Sequence, residues 1–383
     1  MAGNYLQYVR SARRARPDLS GCRFLVSGVD ARVRQSVGSH IVSACYAAGK
    51  TLFLLDNTRG ETDFSLGLGD YRVTDALTGG VGLCSDLFEV GSLEQISRLR
   101  TLLADLGFDG IRAMRIVSYL AFVRETERSL GNPGPLTAPV LEEYGGAMLV
   151  QRKLEALVRS GGLTRQNCEY LLGRYAEVSS AAADFETFLV LFSPFLGRAA
   201  PAGSMAVLLP VGRFSSDASM QQMLCRLLVS FVSEHPDTCA VLILDDGRGD
   251  RRHLTDVAAE LPAAAELHML TNDAFSFGEA GCGILMNTFP VRIYTRHEDM
   301  CSCEKVEKQC GQIDVVKRSS SVAVDRRLRG SSAWDLLLGT NRTDVEVRNA
   351  PTKEYRFRKE TIHALRDGTG IVDCGGEPVM FSF

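Results

Sequence analysis

GCRFLVSGVDARVRQSVGSHIVSACYAAGKTLFLLD, residues 21–56, decides the fold. GCRFLVSGVD (21–30) reads as a short buried strand running into a turn. SVGSHIVSACYAAG (36–49) carries Val37, Ile41, Ala44 and Ala48 at helical spacing, with Gly49 as a stop. TLFLLDNTRGE (51–61) reads as a second buried strand ending in Asp56 and a polar turn. Strand, helix and strand at this spacing form a βαβ unit, which implies parallel strands with helices on the faces.

Two places in this stretch invite a phosphate-loop reading. Gly49-Lys50-Thr51 has the tail of GxxxxGK[ST], but it follows a helix and precedes a strand. A phosphate loop must follow a strand and open a helix, whose N-terminus supplies free N–H groups. Ala44, mid-helix, stands where the first glycine belongs, so GKT reads as a decoy. The correct address is the turn GVDARVRQS, residues 28–36. Gly28 supplies the first glycine, Arg34 takes roughly the lysine's place, and Gln35 and Ser36 open the helix. The second glycine and the lysine are missing. Bulky Arg32 and Val33 are expected to crowd the pocket, where glycines would let the backbone approach phosphates.

The rest of the chain supports a soluble α/β protein. It has 383 residues, 45% hydrophobic and 23% charged, with a formal net charge of −3, which gives no electrostatic case for nucleic acid binding by the whole chain. No apolar run approaches the ~18 to 20 residues of a membrane span, and the first residues carry no apolar signal core. Eleven cysteines, several inside apolar runs (Cys45, Cys225, Cys239), favour a reducing cytosol. Arg10, Arg13, Arg14 and Arg16 form a basic arm in residues 1–20, read as a solvated helix end, with phosphate backbones or an acidic membrane surface as the other reading.

GDYRVTDAL (69–77) is expected as a third strand. Residues 92–199 then turn helical, punctuated by NPGP (132–135) and Gly161-Gly162, and read as an inserted all-α domain. SMAVLLPVGRF (204–214) restores a strand, and DASMQQMLCRLLVSFVSEHP (217–236) is a helix. CAVLILDDGRGD (239–250) is a buried strand ending in two acids, and AELHMLTND and PVRIYTRHED follow as strands. ETIHALRDGTGIVDCGGEPVMFSF closes the chain as a short helix and a hairpin. The expected division is a discontinuous α/β domain in residues 21–91 and 200–330, with a C-terminal segment 331–383.

Asp245 and Asp246 are the most informative polar pair. Four apolar residues followed by acids at the carboxyl end of a buried strand describe a Walker B element. The first acid there orients Mg²⁺ and its water, and the second, usually Glu, positions the attacking water. The plainer alternative is that strand ends often carry Asp in turns and caps. Cys301, Cys303 and Cys310 lack a common zinc spacing and read as one amphipathic helix, with Met300, Cys303 and Val306 near one face; no structural metal is expected. The six histidines show no HExxH spacing.

The order of these elements resembles the soluble part of the conjugation coupling proteins, the TraG/TraD-type ATPases of type IV secretion in the FtsK/HerA branch of RecA-like ATPases. Asp56-Asn57-Thr58-Arg59-Gly60-Glu61 is similar to that family's Asp-Pro-Lys-Gly-Glu turn. The helical stretch lies where the family carries its all-α domain between Walker A and Walker B. Thr271-Asn272 stands where a polar sensor pair is expected, and ETIHALRDGTGIV at the closing segment; Arg296 reads as an ordinary surface arginine, with a remnant phosphate-facing arginine at a strand end as the other reading.

The resemblance implies a RecA-like P-loop NTPase-type sheet, with Gly28, Arg34, Gln35, Ser36, Asp56, Asn272 and Arg296 around a nucleotide, Asp245 on Mg²⁺, and Asp245 and Asp246 in catalysis. The missing lysine removes the charge that holds the β- and γ-phosphates, so hydrolysis should fall by orders of magnitude. The expected function is a degenerate ATPase homologue that scaffolds a conjugation, DNA-transfer or secretion machine. It would bind ATP and Mg²⁺ weakly if at all. It would work beside an active paralogue, as a homo- or hetero-oligomer, with DNA or protein cargo on the helical insertion. It would be cytoplasmic, meeting the membrane only through a partner. The alternative is an active ATP-driven motor in which Arg34 replaces the lysine.

Overall fold

The computed structural model describes residues 23–58, 68–77, 81–83, 88, 90–134, 136–192, 195, 203, 205–248, 251–323 and 344–383, with side chains outside 316–323 and 344–352. The N-terminal arm, the end of the Asp56–Glu61 turn and the expected boundary at 330 lie outside them. The chain forms two compact units. One runs to Arg296 and takes in Arg366–Phe383; the other is His297–Leu365.

The first unit is built on a nine-stranded sheet. Its strands are β1 (Phe24–Ser27), β2 (Thr51–Asn57), β3 (Arg72–Asp75), β4 (Met205–Leu209), β5 (Cys239–Asp245), β6 (Glu266–Thr271) and β7 (Val291–Tyr294), with β10 (Thr369–Asp373) and β11 (Val379–Ser382). Their spatial order is β11-β10-β7-β1-β6-β5-β2-β4-β3. β3, β4, β2, β5, β6, β1 and β7 run parallel. β10 joins antiparallel to β7 and pairs with β11. The expected α/β fold with a RecA-like parallel sheet is therefore present. The closing hairpin is not a separate appendage, because it extends this sheet.

The central strands are buried on both faces, which is why they read as unbroken apolar runs rather than alternations. Alternate residues serve opposite faces. Leu52, Leu54, Leu242 and Leu244 pack with Val33, Val37, Ile41 and Cys45 of helix α1 (Ala31–Ala47). Phe53, facing the other way, meets Phe231 of a second helix edge-on, with ring centroids 5.5 Å apart. Helices thus cover both faces.

Between β3 and β4 the described elements are helical: α2 (Leu93–Asp105), α3 (Gly110–Ser129), α4 (Ala138–Glu142), α5 (Ala147–Arg159), α6 (Arg165–Val178) and α7 (Ala182–Phe192). Tyr119, Phe122, Phe185, Phe188 and Phe192 are fully buried there. The stacked pair Tyr119–Phe185, 4.3 Å between centroids, ties α3 to α7. After β4 come α8 (Ala218–Glu234), which carries Phe231, then α9 (Arg252–Glu260) and α10 (Gly278–Thr288).

The second unit contains α11 (Met300–Gln309), the long antiparallel pair β8 (Gln312–Ala323) and β9 (Asp344–Tyr355), and the short helix α12 (Lys359–His363). Cys303, Val306 and Cys310 are buried, while Met300 and Cys301 are exposed, so Met300 does not share the buried face expected of it. No described helix is long and apolar enough to cross a membrane.

Candidate functional site

Strand register lines up one row of residues at the carboxyl end of the parallel sheet. Asn57 is opposite Asp245, Asp245 opposite Thr271, Thr271 opposite Ser27, and Ser27 opposite Tyr294. Asp245 is fully buried. Its carboxylate accepts the Thr271 hydroxyl at 2.6 Å and the Asn57 amide at 3.0 Å, and Arg251 Nη1 lies 3.4 Å away. Asn57 in turn meets the buried His253 ring at 3.2 Å. Arg251 is fixed from three sides. It donates to the Ser276 carbonyl and hydroxyl at 2.9 Å each, and its guanidinium sits 4.2 Å from the centroid of the Phe277 ring. A cation of the protein's own thus sits against this buried acid.

The turn after β1 differs from the one expected. Helix α1 begins at Ala31, not at Ser36, so only Gly28, Val29 and Asp30 join strand to helix. The reason is Asp30. An Asp directly before an apolar helical run is a favoured N-cap, because its oxygen satisfies N–H groups that the first turn leaves open. Its Oδ1 accepts from Arg32 N at 2.9 Å and Val33 N at 3.2 Å. Oδ2 accepts from Gly368 N at 2.6 Å. These helix N–H groups are the kind that hold phosphate in a phosphate-loop protein. Here a carboxylate holds them.

Val33 and Arg32 therefore do not crowd the pocket. Val33 is turned into the core and Arg32 is exposed. Gln35 and Ser36 lie on the exposed face of α1, away from any loop they were expected to form. Arg34 does reach the mouth. It is buried and its guanidinium donates to the Asn272 side-chain oxygen. Burial pulls its pKa down, and the fields of Asp30 and Asp245 offset only part of that; an arginine stays charged under both influences.

Gly28 is where backbone geometry is most demanding. Its φ is +132°, and a Cβ there would lie 2.1 Å from Thr295 Oγ1 and 2.8 Å from the Arg296 carbonyl. The turn packs against the end of β7, with Val29 N donating to Arg296 O at 2.9 Å.

Gly28, Arg34, Asp245 and Asn272 are thus brought to one place. Asn272 bridges, accepting from Arg34 and donating to the Asp246 carbonyl at 2.6 Å. The Asp246 carboxylate accepts from Arg248 N at 2.9 Å, a turn interaction. Asp56 does the same for Thr58, accepting from its N–H at 2.9 Å and hydroxyl at 2.6 Å. Arg296 is ion-paired with Asp367 at 3.0 Å rather than reaching into the mouth. Asp30, Arg251 and His253 are not among the residues the sequence assigns to the site, and Asn57 enters it only as part of the Asp56–Glu61 turn. Asp30 had a readable signal as an N-cap; the other three become neighbours of Asp245 only through sheet register and the α9 connection.

No family model and no curated protein matches the chain. Solved structures do. The unbound form of the bacterial conjugative coupling protein TrwB lacking its first 70 residues is 12% identical, with a TM-score of 0.50, over 99% of this chain and 90% of that one. TrwB in complex with the non-hydrolysable GTP analogue GDPNP is also 12% identical with a TM-score of 0.50, over 99% and 92%. VirB4 of Thermoanaerobacter pseudethanolicus is more distant, 10% identical with a TM-score of 0.45, over 97% and 91%. The fold is that of a conjugative coupling protein. The likeness to both TrwB structures covers 99% of this chain.

Proposed function

We propose that this chain is a coupling-protein homologue that scaffolds a conjugation or secretion machine without turning over nucleotide. One observation carries the reading: the Asp30 carboxylate holds the Arg32 and Val33 N–H groups at the start of α1. An incoming triphosphate would have to expel a buried carboxylate and then share its place with the negative charge. Coulomb repulsion between two such charges at about 4 Å is several kcal/mol at the effective dielectric of a protein site. Arg251 and Arg34 supply positive charge where Mg²⁺ and a lysine would act, so the cluster is neutralised internally. Phosphoryl transfer is catalysed mainly by positioning and electrostatics, and both are committed here to protein groups.

The fold then serves assembly. The helices between β3 and β4 are the natural place for DNA or protein cargo, and the sheet domain the place for an active ATPase paralogue in a homo- or hetero-oligomer. The chain would work in the cytoplasm, at the membrane only through such a partner.

Calorimetry with ATP and Mg²⁺, beside a phosphate-release assay, tests this. No binding heat and no turnover above a buffer blank are expected. Turnover abolished by Asp245→Ala would end the proposal. A second reading rests on Arg34, buried at the mouth beside Asn272: an active motor in which this guanidinium grips the terminal phosphate. It requires that ATP and Mg²⁺ raise the melting temperature and that Arg34→Ala remove the shift.

A further inference from the structure

At the amino end of the same sheet, three side chains of different chemistry meet at one oxygen. β6 opens with Glu266 and carries His268 two residues on, so both project to the same face. Cys45, near the end of α1, comes down onto that face. Cys45 Sγ lies 3.6 Å from Glu266 Oε1, and His268 Nε2 lies 2.9 Å from the same oxygen. The three ligand atoms fall within 4.8 Å of one another. The other carboxylate oxygen, Oε2, is held by Lys50 at 2.6 Å. The cluster sits five residues along β6 from Thr271, about 17 Å from the Asp245 mouth at the usual rise of a strand.

We propose that Cys45, Glu266 and His268 bind a borderline divalent metal of the zinc type, with solvent as fourth ligand. Thiolate, imidazole and carboxylate are the donors such an ion takes. A tetrahedral site with Zn–S near 2.3 Å and Zn–O near 2.1 Å holds sulfur and oxygen about 3.6 Å apart, which is the separation found. Imidazole nitrogen and carboxylate oxygen would stand about 3.4 Å apart in the same geometry, so binding requires the ring to withdraw from Glu266 by about half an ångström and to settle at tetrahedral distance from Cys45 Sγ.

A thiolate and a carboxylate offset the dication, a neutral imidazole adds nothing, and the half-buried Lys50 ammonium on Oε2 leaves one net positive charge at the solvent side. On binding, the Cys45 proton leaves to solvent, and the proton on His268 Nε2 moves to Nδ1 to free the coordinating lone pair. Lys50 on Oε2 leaves Oε1 as the coordinating oxygen, the outer support that carboxylate ligands generally receive. The imidazole is aligned by stacking, with the Phe24 ring 5.1 Å away at 19°. Cys45 and His268 are each 1% exposed. Lys50 and Glu266, at 22% and 14% side-chain exposure, leave a route in from solvent.

The test titrates Co²⁺ and then Zn²⁺ into reduced, chelator-stripped full-length protein. One equivalent of Co²⁺ should give thiolate-to-metal charge-transfer absorption that Zn²⁺ displaces. Zn²⁺ should also raise the melting temperature. Cys45→Ser should abolish the charge-transfer band, and His268→Gln should weaken binding at least about tenfold. Cys225→Ser, which removes a buried thiol on α8, should keep both signals. Absence of the band in the wild type, or its survival in Cys45→Ser, would overturn the proposal. If Cys45→Ser fails to fold, the wild-type band and the His268→Gln affinity still decide it. None of these readouts depends on nucleotide, so the metal site stands or falls separately from the scaffold reading.

Discussion

Asp30 and Gly368 are 338 residues apart and joined by a 2.6 Å hydrogen bond from the glycine N–H to the aspartate Oδ2. One carboxylate therefore caps α1 and anchors the segment that leads into the closing hairpin. Asp30→Gly should lower stability by about 1 to 2 kcal/mol. Glycine is a tolerable N-cap, so most of the loss comes from the half-buried Gly368 N–H left without its acceptor. The same change frees the α1 N–H groups for an anion. Urea unfolding gives the stability, and calorimetry with ATP gives the second effect. Tighter triphosphate binding in Asp30→Gly than in the wild type is expected. Equal binding would show that the carboxylate is not what excludes phosphate.

Gly28→Ala should be among the most damaging single changes in the chain. The added methyl meets the Arg296 backbone carbonyl and the Thr295 hydroxyl, and the φ of +132° is one that alanine rarely adopts. Backbone cannot step aside as a side-chain tip can. A loss of about 3 kcal/mol or more, or failure to accumulate as folded protein, is expected. Gly49→Ala is the control. Its φ is +67° but nothing lies within 4 Å of the new methyl, so the cost should stay near 1 kcal/mol. Thermal unfolding of the pair separates steric conflict from backbone preference.

Asp245 is held as a structural centre by Asn57, Thr271 and Arg251. Asp245→Ala strips the acceptor from all three and leaves Arg251 facing a buried void. A loss of about 3 to 5 kcal/mol is expected, as for breaking one half of a buried ion pair. Asn57→Ala removes one donor and should cost about 1 to 2 kcal/mol. If Asp245→Ala were instead neutral or stabilising, the acid would be retained for ligand chemistry rather than for packing its own neighbours. Denaturant midpoints at constant slope make the comparison.

Much of the sheet was legible because its central strands are buried on both faces, and such strands announce themselves as LFLLD and VLILD. The site was legible only where chemistry and strand ends coincide, as at Asp245 and Asn272. What failed was the turn. Residues 28–36 read as a phosphate loop one residue longer than GxxxxGK[ST], although Asp30 before Val33 and Val37 is an ordinary helix start. Asn57 and Arg251 show the other limit. Their partnership with Asp245 depends on strand register and on the path from β5 into α9, and neither has a local signature. Cys45 lies more than two hundred residues from Glu266 and His268, and no spacing rule joins them.

The helical stretch has its own acid-sensitive lock. Glu127 on α3 is buried and accepts from Tyr144 Oη, Lys153 Nζ and Asn132 Nδ2 at 2.6, 2.6 and 2.9 Å. Burial alone would raise its pKa, but the hydrogen bonds from Lys153, Tyr144 and Asn132 outweigh that and hold the carboxyl below its ordinary value. A carboxyl whose folded pKa is depressed contributes stability above its unfolded pKa, near 4.3. The contribution is lost as pH falls from there through the lower folded value. Stability should therefore decline below about pH 4 to 5, and Glu127→Gln should flatten part of that slope. At pH 7 the same variant should cost about 2 kcal/mol, because Lys153 keeps only the more exposed Glu143 as a charged partner. Urea midpoints of both proteins from pH 7 to pH 3 make the test. Parallel curves, with the variant displaced by a constant amount, would mean that Glu127 does not titrate on unfolding.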